Sequence, residues 1–231
     1  MRGIDMNYYS HEQYRERDKL APDNTVWPSM STDELDVRDI RVYLNERGLL
    51  PELAAKNDWY PSRHANDNFL RIVIPALTTK EGHVYWQARA VSSNVHIRYQ
   101  SPKGPRHGAL INMRAFPDDV QGESTREVVI VEGPMDALAA AQCGVDAIAL
   151  MGINPGTIAL EHLSKLVNKR PALIVLDNEP HAQSQAQFLA MHLASAGSTA
   201  HLAKLHHVKD IATMKLTPRR DWLERCLEDL A

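Results

Sequence analysis

The C-terminal half of the chain alternates short apolar runs with longer segments of helical character. The apolar runs are nearly continuous, which is typical of strands in a parallel sheet that is covered on both faces. They predict strands at 128–131, 146–150, 172–176 and 199–204, and helices at about 134–143, 156–168, 181–195 and 219–229. Residues 126–231 are therefore predicted to form an α/β domain with a four-stranded parallel sheet, helices on both faces and a C-terminal helix.

The N-terminal half of the chain shows a different pattern. Ser31 and Glu34 have the spacing of a capping box, before a helical repeat of apolar residues that ends at Gly48. The segments FLRIVIPAL and VYWQARAV, joined by TTKEGH, predict a β-hairpin, and VHIRYQSP predicts a third strand. Residues 36–125 are thus predicted to form a small α+β subdomain, after a polar, loosely ordered N-terminal arm at residues 1–35.

The overall composition is that of an ordinary soluble protein. Of the 231 residues, 44% are hydrophobic and 24% are charged, and no stretch approaches the ~18 consecutive apolar residues of a membrane span. The N-terminus lacks an apolar core of signal-peptide type, so we expect a cytoplasmic protein. Cys143 and Cys226 are the only cysteines, which argues against a disulfide framework and a zinc ribbon. No phosphate-binding Gly-Lys-Ser/Thr loop or dinucleotide fingerprint is present in the sequence.

Positive charge is concentrated in one segment, although the formal net charge of the chain is −3. Residues 80–115, called the basic strip below, contain one acidic residue, Glu81, and six basic residues: Lys80, Arg89, Arg98, Lys103, Arg106 and Arg114. A local excess of this kind is typical of a surface that binds nucleic acid. It is equally compatible with a solvated face of a sheet.

Acidic residues follow the predicted strands of the α/β domain. In an open parallel sheet, ligands bind at the carboxyl ends of the strands. The acids at these ends are Glu132, Asp136, Asp177, Glu179 and Asp210. Carboxylates gathered at one edge repel one another unless a cation lies among them, and oxygen ligands without Cys or His favour Mg²⁺ or Mn²⁺.

Simpler explanations exist for some of these acids. Pro134 suits the first position of a helix, so Asp136 in the opening turn is explained by the helix dipole alone. Asp177 and Glu179 are explained as loop residues. Glu132 is harder to explain in this way, because Ser or Asp would cap the helix better than Glu.

The motifs around these acids resemble the TOPRIM domain, which bacterial and phage primases share with topoisomerases and some nucleases. That domain carries a Glu after its first strand and Asp-x-Asp after its third. Here VIVEGPMDALAAAQCG resembles the first motif in its primase version, IVLDNE resembles the second with Glu179 in the place of the second Asp, and VKDIATM resembles a later Lys-Asp motif. Upstream, VYWQARAV and IRYQSPKGPRHGALIN resemble the basic part of primase RNA polymerase domains.

Resemblance to a primase of the DnaG type implies a nucleotidyltransferase that synthesises short RNA primers on single-stranded DNA from NTPs, in a bacterium or a phage-infected cell. It implies catalytic roles for Glu132, Asp136, Asp177, Glu179 and Asp210, with Mg²⁺ or Mn²⁺ held by these acids except Asp136. It also implies that template and NTP are bound by Arg89, Arg98, Tyr99, Lys103, Arg106 and Lys209, with Tyr99 stacking on a base.

Several features depart from the primase pattern. Ala212 stands where primases often carry a further acid, and DNEPHAQ replaces a second Asp followed by Gly. Since the sequence lacks a zinc-binding domain and a helicase half, we expect a replicative helicase or a separate zinc-binding protein as a partner for template selection. A TOPRIM nuclease that uses the same acids, and a non-catalytic nucleic-acid-binding adaptor in replication or defence, remain alternatives.

Overall fold

The fold consists of two sheets that share one hydrophobic core. The computed structural model describes residues 27–63, 68–103, 106–117, 125–152, 155–205 and 207–230. Most of the predicted N-terminal arm, up to residue 26, lies outside the described residues. None of the helices within these ranges is long and apolar enough to cross a membrane.

The first sheet is antiparallel and packs with two short helices. Its strand order is β1-β2-β3-β4, which includes the predicted hairpin and third strand. The elements are α1 (Glu34–Glu46), α2 (Pro51–Lys56), β1 (Tyr60–Ser62), β2 (Arg71–Ala76), β3 (Tyr85–Ala90) and β4 (Tyr99–Gln100).

The start of helix α1 differs from the predicted capping box. Asp33 is the N-cap, and its side chain accepts a hydrogen bond from the backbone N–H of Leu35 at 2.8 Å. Ser31 instead donates its hydroxyl to Asp36 at 2.6 Å, and Arg63 pairs with the same carboxylate. The predicted capping box was wrong because Asp33, which lies closer to the helix, accepts the hydrogen bond from the helix N-terminus. The hydroxyl of Ser31 is bonded to the buried carboxylate of Asp36 instead.

The second sheet contains the four predicted parallel strands and a fifth, antiparallel strand. Its order is β5-β7-β6-β8-β9, with β5 antiparallel to β7 at the edge. The strands are β5 (Ile111–Met113), β6 (Val128–Val131), β7 (Asp146–Ala149), β8 (Ala172–Val175) and β9 (Ala200–Leu202). Strand β5 falls in the range predicted for the N-terminal subdomain, yet it extends this sheet.

Helices cover both faces of the second sheet, as predicted. They are α3 (Pro134–Ala141), α4 (Thr157–Val167), α5 (Pro180–Ser195) and α6 (Leu216–Glu228), with a 3₁₀ turn at Ile211–Thr213. Alternate residues of β6 face opposite sides of the sheet. Val129 and Val131 join the core shared with the first sheet, whereas Val128 and Ile130 pack with α4 and α5.

Side-chain hydrogen bonds connect the two parts of the chain. Asn57, after α2, accepts a bond from the backbone N–H of Arg114 at 2.7 Å and donates to its carbonyl at 3.0 Å. Gln142, after α3, donates to the carbonyl of Gly48 and accepts from the N–H of Leu50. These bonds hold the first sheet and its helices in a defined position beside the second sheet.

A buried ion pair fastens the segment that leads into β6. Asp146 accepts hydrogen bonds from the backbone N–H groups of Ala115 and Thr125, and Arg170 pairs with it at 3.1 Å. The two charged side chains are only 4% and 15% exposed. Both charges are therefore largely shielded from water, and removing one partner leaves the other charge buried without compensation.

Replacing Asp146 with alanine is expected to lower the free energy of unfolding by about 3 kcal/mol, because the buried guanidinium of Arg170 is then left without its charged partner. Urea unfolding followed by circular dichroism measures this loss. Asp39→Asn is the matched control, since the Arg38–Asp39 pair is exposed on both sides and such pairs contribute at most about 1 kcal/mol. Equal effects of the two substitutions would contradict the structural role of Asp146.

Candidate active site

The register of the second sheet brings two of the predicted site acids side by side. Val131 at the end of β6 pairs with Val175 at the end of β8, and adjacent strands lie ~4.8 Å apart. Glu132 follows the first strand directly, and Asp177 lies two residues beyond the second. Both side chains therefore lie at the carboxyl edge of the sheet, as the strand pattern predicted.

Asp136 lies in the first turn of α3, where Gly133 is the N-cap and Pro134 opens the helix. Its Oδ1 accepts a hydrogen bond from the backbone N–H of Ala212 at 3.0 Å. A Cβ at position 133 would lie 3.3 Å from Asp136 Oδ2, so glycine leaves room for this carboxylate. The bond to Ala212 joins the helix to the 3₁₀ turn after Asp210.

The environment raises the pKa of Asp136 to about 7. Burial is the largest cause, followed by the charge of Asp210, and the hydrogen bond from Ala212 acts in the opposite direction. An aspartate that only compensated the helix dipole would have its pKa lowered. Asp136 is therefore a member of an acidic cluster rather than a simple helix-end residue.

Two further acids of the cluster also bind protons more readily than usual. Burial raises the pKa of Glu132, and the charges of Asp177 and Glu179 add to that effect. Burial also raises the pKa of Asp177, with Asp210 as the next cause. Lys209 opposes the rise of the pKa at both residues. The carboxylates at this edge are thus close enough to repel one another.

Asp210 and Glu179 occupy loop positions beside these acids. Asp210 is the N-cap of the 3₁₀ turn, and its Oδ1 accepts a hydrogen bond from the backbone N–H of Thr213 at 2.9 Å. Glu179 is the N-cap residue of α5, is exposed, and makes no side-chain capping bond. All five predicted acids therefore lie at one edge, and they differ in exposure and in how firmly they are held.

The donor chemistry of this edge fits a hard divalent cation. The acids supply only carboxylate oxygens, and their mutual repulsion is the kind that a bound cation relieves. Across the described ranges, no three His, Cys, Asp or Glu side chains are arranged to hold a metal ion as they stand.

The free energy of unfolding should depend on pH because the pKa of Asp136 is raised in the folded protein. The pKa of Asp136 is about 7 in the folded protein and 3.8 ordinarily, so the folded state holds more protons between these values. Stability contributed by this residue therefore falls as pH rises from about 4 to about 7. In EDTA, Asp136→Asn should stabilise the protein increasingly over that range, by on the order of 2–4 kcal/mol at the top.

Unfolding free energies of the wild type and of Asp136→Asn, measured from pH 5 to pH 8, test this expectation. Asparagine keeps the acceptor for the Ala212 N–H, so the comparison isolates the charge. Asp39→Asn, on the exposed side of α1, serves as the control. A difference between wild type and Asp136→Asn that stays constant with pH would contradict the raised pKa.

Two predicted binding residues of the basic strip are not on a solvated face. Arg89 is buried, and its Nε donates a hydrogen bond to the hydroxyl of Tyr43 at 2.9 Å. Its guanidinium lies over the ring of Tyr99, 4.8 Å from the centroid. Burial raises the pKa of Tyr99 to about 12, with Arg89 opposing the rise and the charge of Asp136 adding to it. Arg89 thus covers one face of the ring predicted to stack on a base.

The other predicted binding residues are exposed, and they are Arg98, Lys103, Arg106 and Lys209. Arg106 donates a hydrogen bond to the carbonyl of Met151 at 3.3 Å. Met151 follows β7, the strand next to β6, so Arg106 lies at the same edge as the acids. Lys209 acts on the pKa of both Glu132 and Asp177. Positive charge therefore flanks the acidic cluster.

Sequence patterns missed three residues that hold predicted site residues or the backbone next to them. Tyr43 holds Arg89, and Arg71, which is fully buried, donates to the carbonyls of Ala88 and Ile97. Arg219 is likewise fully buried beneath the turn that follows Asp210. No local pattern distinguishes these residues, because the hydrogen-bond partners that place each of them lie outside its own helix or strand.

Comparison with known proteins extends these observations. Residues 129–214 match the family model described as Toprim-like. No curated protein matches the chain significantly by sequence.

Solved primase structures have the same fold. The DnaG primase catalytic domain bound to single-stranded DNA is 16% identical with a TM-score of 0.68, over 95% of this chain and 80% of that one. The zinc-binding and RNA polymerase domains of the Aquifex aeolicus primase are 18% identical with a TM-score of 0.66, over 99% and 64%. The primase fragment of the bacteriophage T7 primase-helicase protein is 14% identical with a TM-score of 0.60, over 80% and 73%. Residues 129–214 thus form a Toprim-like domain, in a chain that has the fold of the catalytic RNA polymerase domain of primases.

Proposed function

We propose that the chain is a primase-like nucleotidyltransferase that synthesises short RNA primers on single-stranded DNA with a divalent metal ion. The observation that carries this proposal is the cluster of acids at one sheet edge, in which the pKa values of Glu132, Asp136 and Asp177 are raised and basic residues lie nearby. The fold shared with primase catalytic domains supports it. The edge combines groups that hold cations with groups that attract phosphates, as nucleotidyl transfer requires.

Glu132, Asp177, Glu179 and Asp210 are the residues that would hold the ion. When bound, Mg²⁺ or Mn²⁺ would lower the pKa of the attacking hydroxyl and stabilise charge on the leaving oxygens. Glu132 would either join the other three acids as a ligand or, where those three hold the ion without it, accept the proton of the attacking hydroxyl. The reaction joins this hydroxyl oxygen to the α-phosphate and releases pyrophosphate.

Basic residues around the edge would bind the nucleic acid and the NTP. Lys209 and Arg106 flank the acids and are suited to pair with phosphates of the incoming NTP. Arg98 and Lys103 are exposed on the basic strip and are suited to bind the template backbone. Arg89, which Tyr43 and Tyr99 hold in place, would contribute its charge from a fixed position.

One observation favours a second candidate function, that of a non-catalytic adaptor which binds nucleic acid. Glu179, which stands in the place of the second Asp of the Asp-x-Asp motif, is exposed and makes no side-chain capping bond. An adaptor would keep the basic strip and need no bound ion. A TOPRIM nuclease would use the same acids but would release fragments without NTPs.

A primer-synthesis assay separates these functions. Purified protein is incubated with single-stranded DNA, labelled NTPs and either Mg²⁺ or Mn²⁺, and the products are resolved by length. Labelled oligoribonucleotides that depend on template and metal are expected. Cleavage of the DNA without NTPs would indicate a nuclease, and DNA binding without either product would indicate an adaptor.

A further inference from the structure

Arg219, in the first turn of α6, is a fully buried cation whose hydrogen bonds go to backbone carbonyls. Its Nε donates to Ile211 at 3.1 Å, its Nη1 to Ala139 at 3.4 Å, and its Nη2 to Ala212 at 3.3 Å and to Met214. The side chain is 0% exposed. Burying a guanidinium is costly unless its donors are satisfied, and four such bonds use most of its five N–H groups.

The carbonyls that bind Arg219 belong to two elements of the acidic edge. Three of them come from Ile211, Ala212 and Met214, in the turn that directly follows Asp210. The fourth comes from Ala139 on α3, the helix whose first turn carries Asp136. One planar group therefore joins the turn to the helix.

Backbone N–H groups of the same 3₁₀ turn donate hydrogen bonds to both Asp136 and Asp210. The N–H of Ala212 donates to Asp136 Oδ1, and the N–H of Thr213 donates to Asp210 Oδ1. The orientation of each carboxylate thus depends on the position of the turn. The charges of Asp136 and Asp210 also act on Arg219, opposing the lowering of its pKa by burial.

We infer that Arg219 is a positioning residue, which sets the orientation of Asp136 and Asp210 by clamping the turn between them to α3. This inference rests on the proposed function for its purpose, namely to prepare the edge to bind a cation. An apolar side chain would fill the same space, so packing alone does not call for an arginine here. Lysine keeps the charge but lacks the planar fork that reaches carbonyls on two elements at once.

Three variants test this role: Arg219→Met, Arg219→Lys and, as the matched control, Arg220→Met, which alters the exposed neighbour on the same helix. Amide hydrogen exchange is measured across the chain, and Mn²⁺ binding is measured by electron paramagnetic resonance. In Arg219→Met, exchange should rise at least about tenfold at Ala212 and Thr213 but not in β6, and Mn²⁺ affinity should fall about 10- to 100-fold. Arg219→Lys should lie between this variant and the wild type.

Exchange and Mn²⁺ affinity equal to those of Arg220→Met would overturn the inference. If Arg219→Met does not fold, the lysine variant decides, since wild-type protection of the turn in Arg219→Lys would overturn the inference equally. These measurements do not use primer synthesis, so they stand apart from the proposed function. A wild-type protein that makes no primers would refute that function, while exchange at the turn would still test the clamp.

Discussion

Replacing Asp177 with asparagine is expected to abolish primer synthesis and to leave the fold intact. Asparagine has nearly the same shape but carries no charge, so the edge loses one of the carboxylates that would hold the cation. Metal ions stabilise transition-state charge by several kcal/mol, and each 1.36 kcal/mol is a factor of ten in rate. The expected loss is therefore about three orders of magnitude, measured as labelled primer formed per enzyme.

Stability measured on the same variant separates a functional from a structural role. Burial and the charge of Asp210 raise the pKa of Asp177, so its ionised form is disfavoured in the folded protein. In EDTA at pH 8, Asp177→Asn should therefore unfold at the same temperature as the wild type or at a higher one. A structural aspartate would show the opposite sign.

Asp39→Asn, at an exposed position on α1, is the control for both measurements. It should leave primer synthesis and the unfolding temperature unchanged. Full activity of Asp177→Asn would exclude Asp177 as a principal ligand. Lost activity combined with a lowered unfolding temperature would point instead to damage of the sheet edge.

Neutralising the exposed part of the basic strip is expected to weaken binding to single-stranded DNA and to reduce its salt dependence. The variant combines Arg98→Ala, Lys103→Ala and Arg106→Ala, since these three side chains are exposed. For each DNA phosphate that the variant no longer neutralises, the slope of log affinity against log salt should fall by about 0.7, so the three substitutions together lower it by about 2. Fluorescence anisotropy with a labelled oligonucleotide across a salt series measures both the affinity and this slope.

Charge removed elsewhere provides the comparison for the basic strip. A triple variant of Lys165, Lys169 and Arg225 to alanine removes the same number of exposed charges outside the strip. It should change the slope little. Equal slopes in the two variants would indicate that the strip is an ordinary solvated surface. Arg89 is left unchanged in both, because it is buried between Tyr43 and Tyr99 and its removal would disturb packing.

Local sequence patterns were sufficient to predict the strands and helices of the Toprim-like part of the chain. Continuous apolar runs predicted the four parallel strands, because strands covered on both faces have no polar side to expose. The acids after those strands were then expected to meet, since the carboxyl ends of parallel strands share one edge. Glu132 and Asp177 were found by this argument.

Other features depended on partners far away in the sequence. The three-residue strand β5 has too few positions for a periodic signal, and only its pairing with β7 makes it part of the second sheet. From the sequence, Arg89 is one more basic residue of a positively charged segment. In the structure, the hydroxyl of Tyr43, 46 residues earlier, accepts its hydrogen bond in the interior. Neither the position of β5 nor the burial of Arg89 follows from a local pattern, because both depend on residues that are distant in the sequence.

The sequence by itself determined the alternation of four parallel strands with helices in the C-terminal half and the edge at which the acids gather, because these follow from side-chain periodicity and from strand direction. Only the tertiary structure decided how those acids are held. Asp136 meets Ala212 across 76 positions of the chain, and Arg219 meets Ala139 across 80. Such contacts arise when separate elements pack together, and burial, neighbouring charge and hydrogen bonding then set the pKa of Asp136.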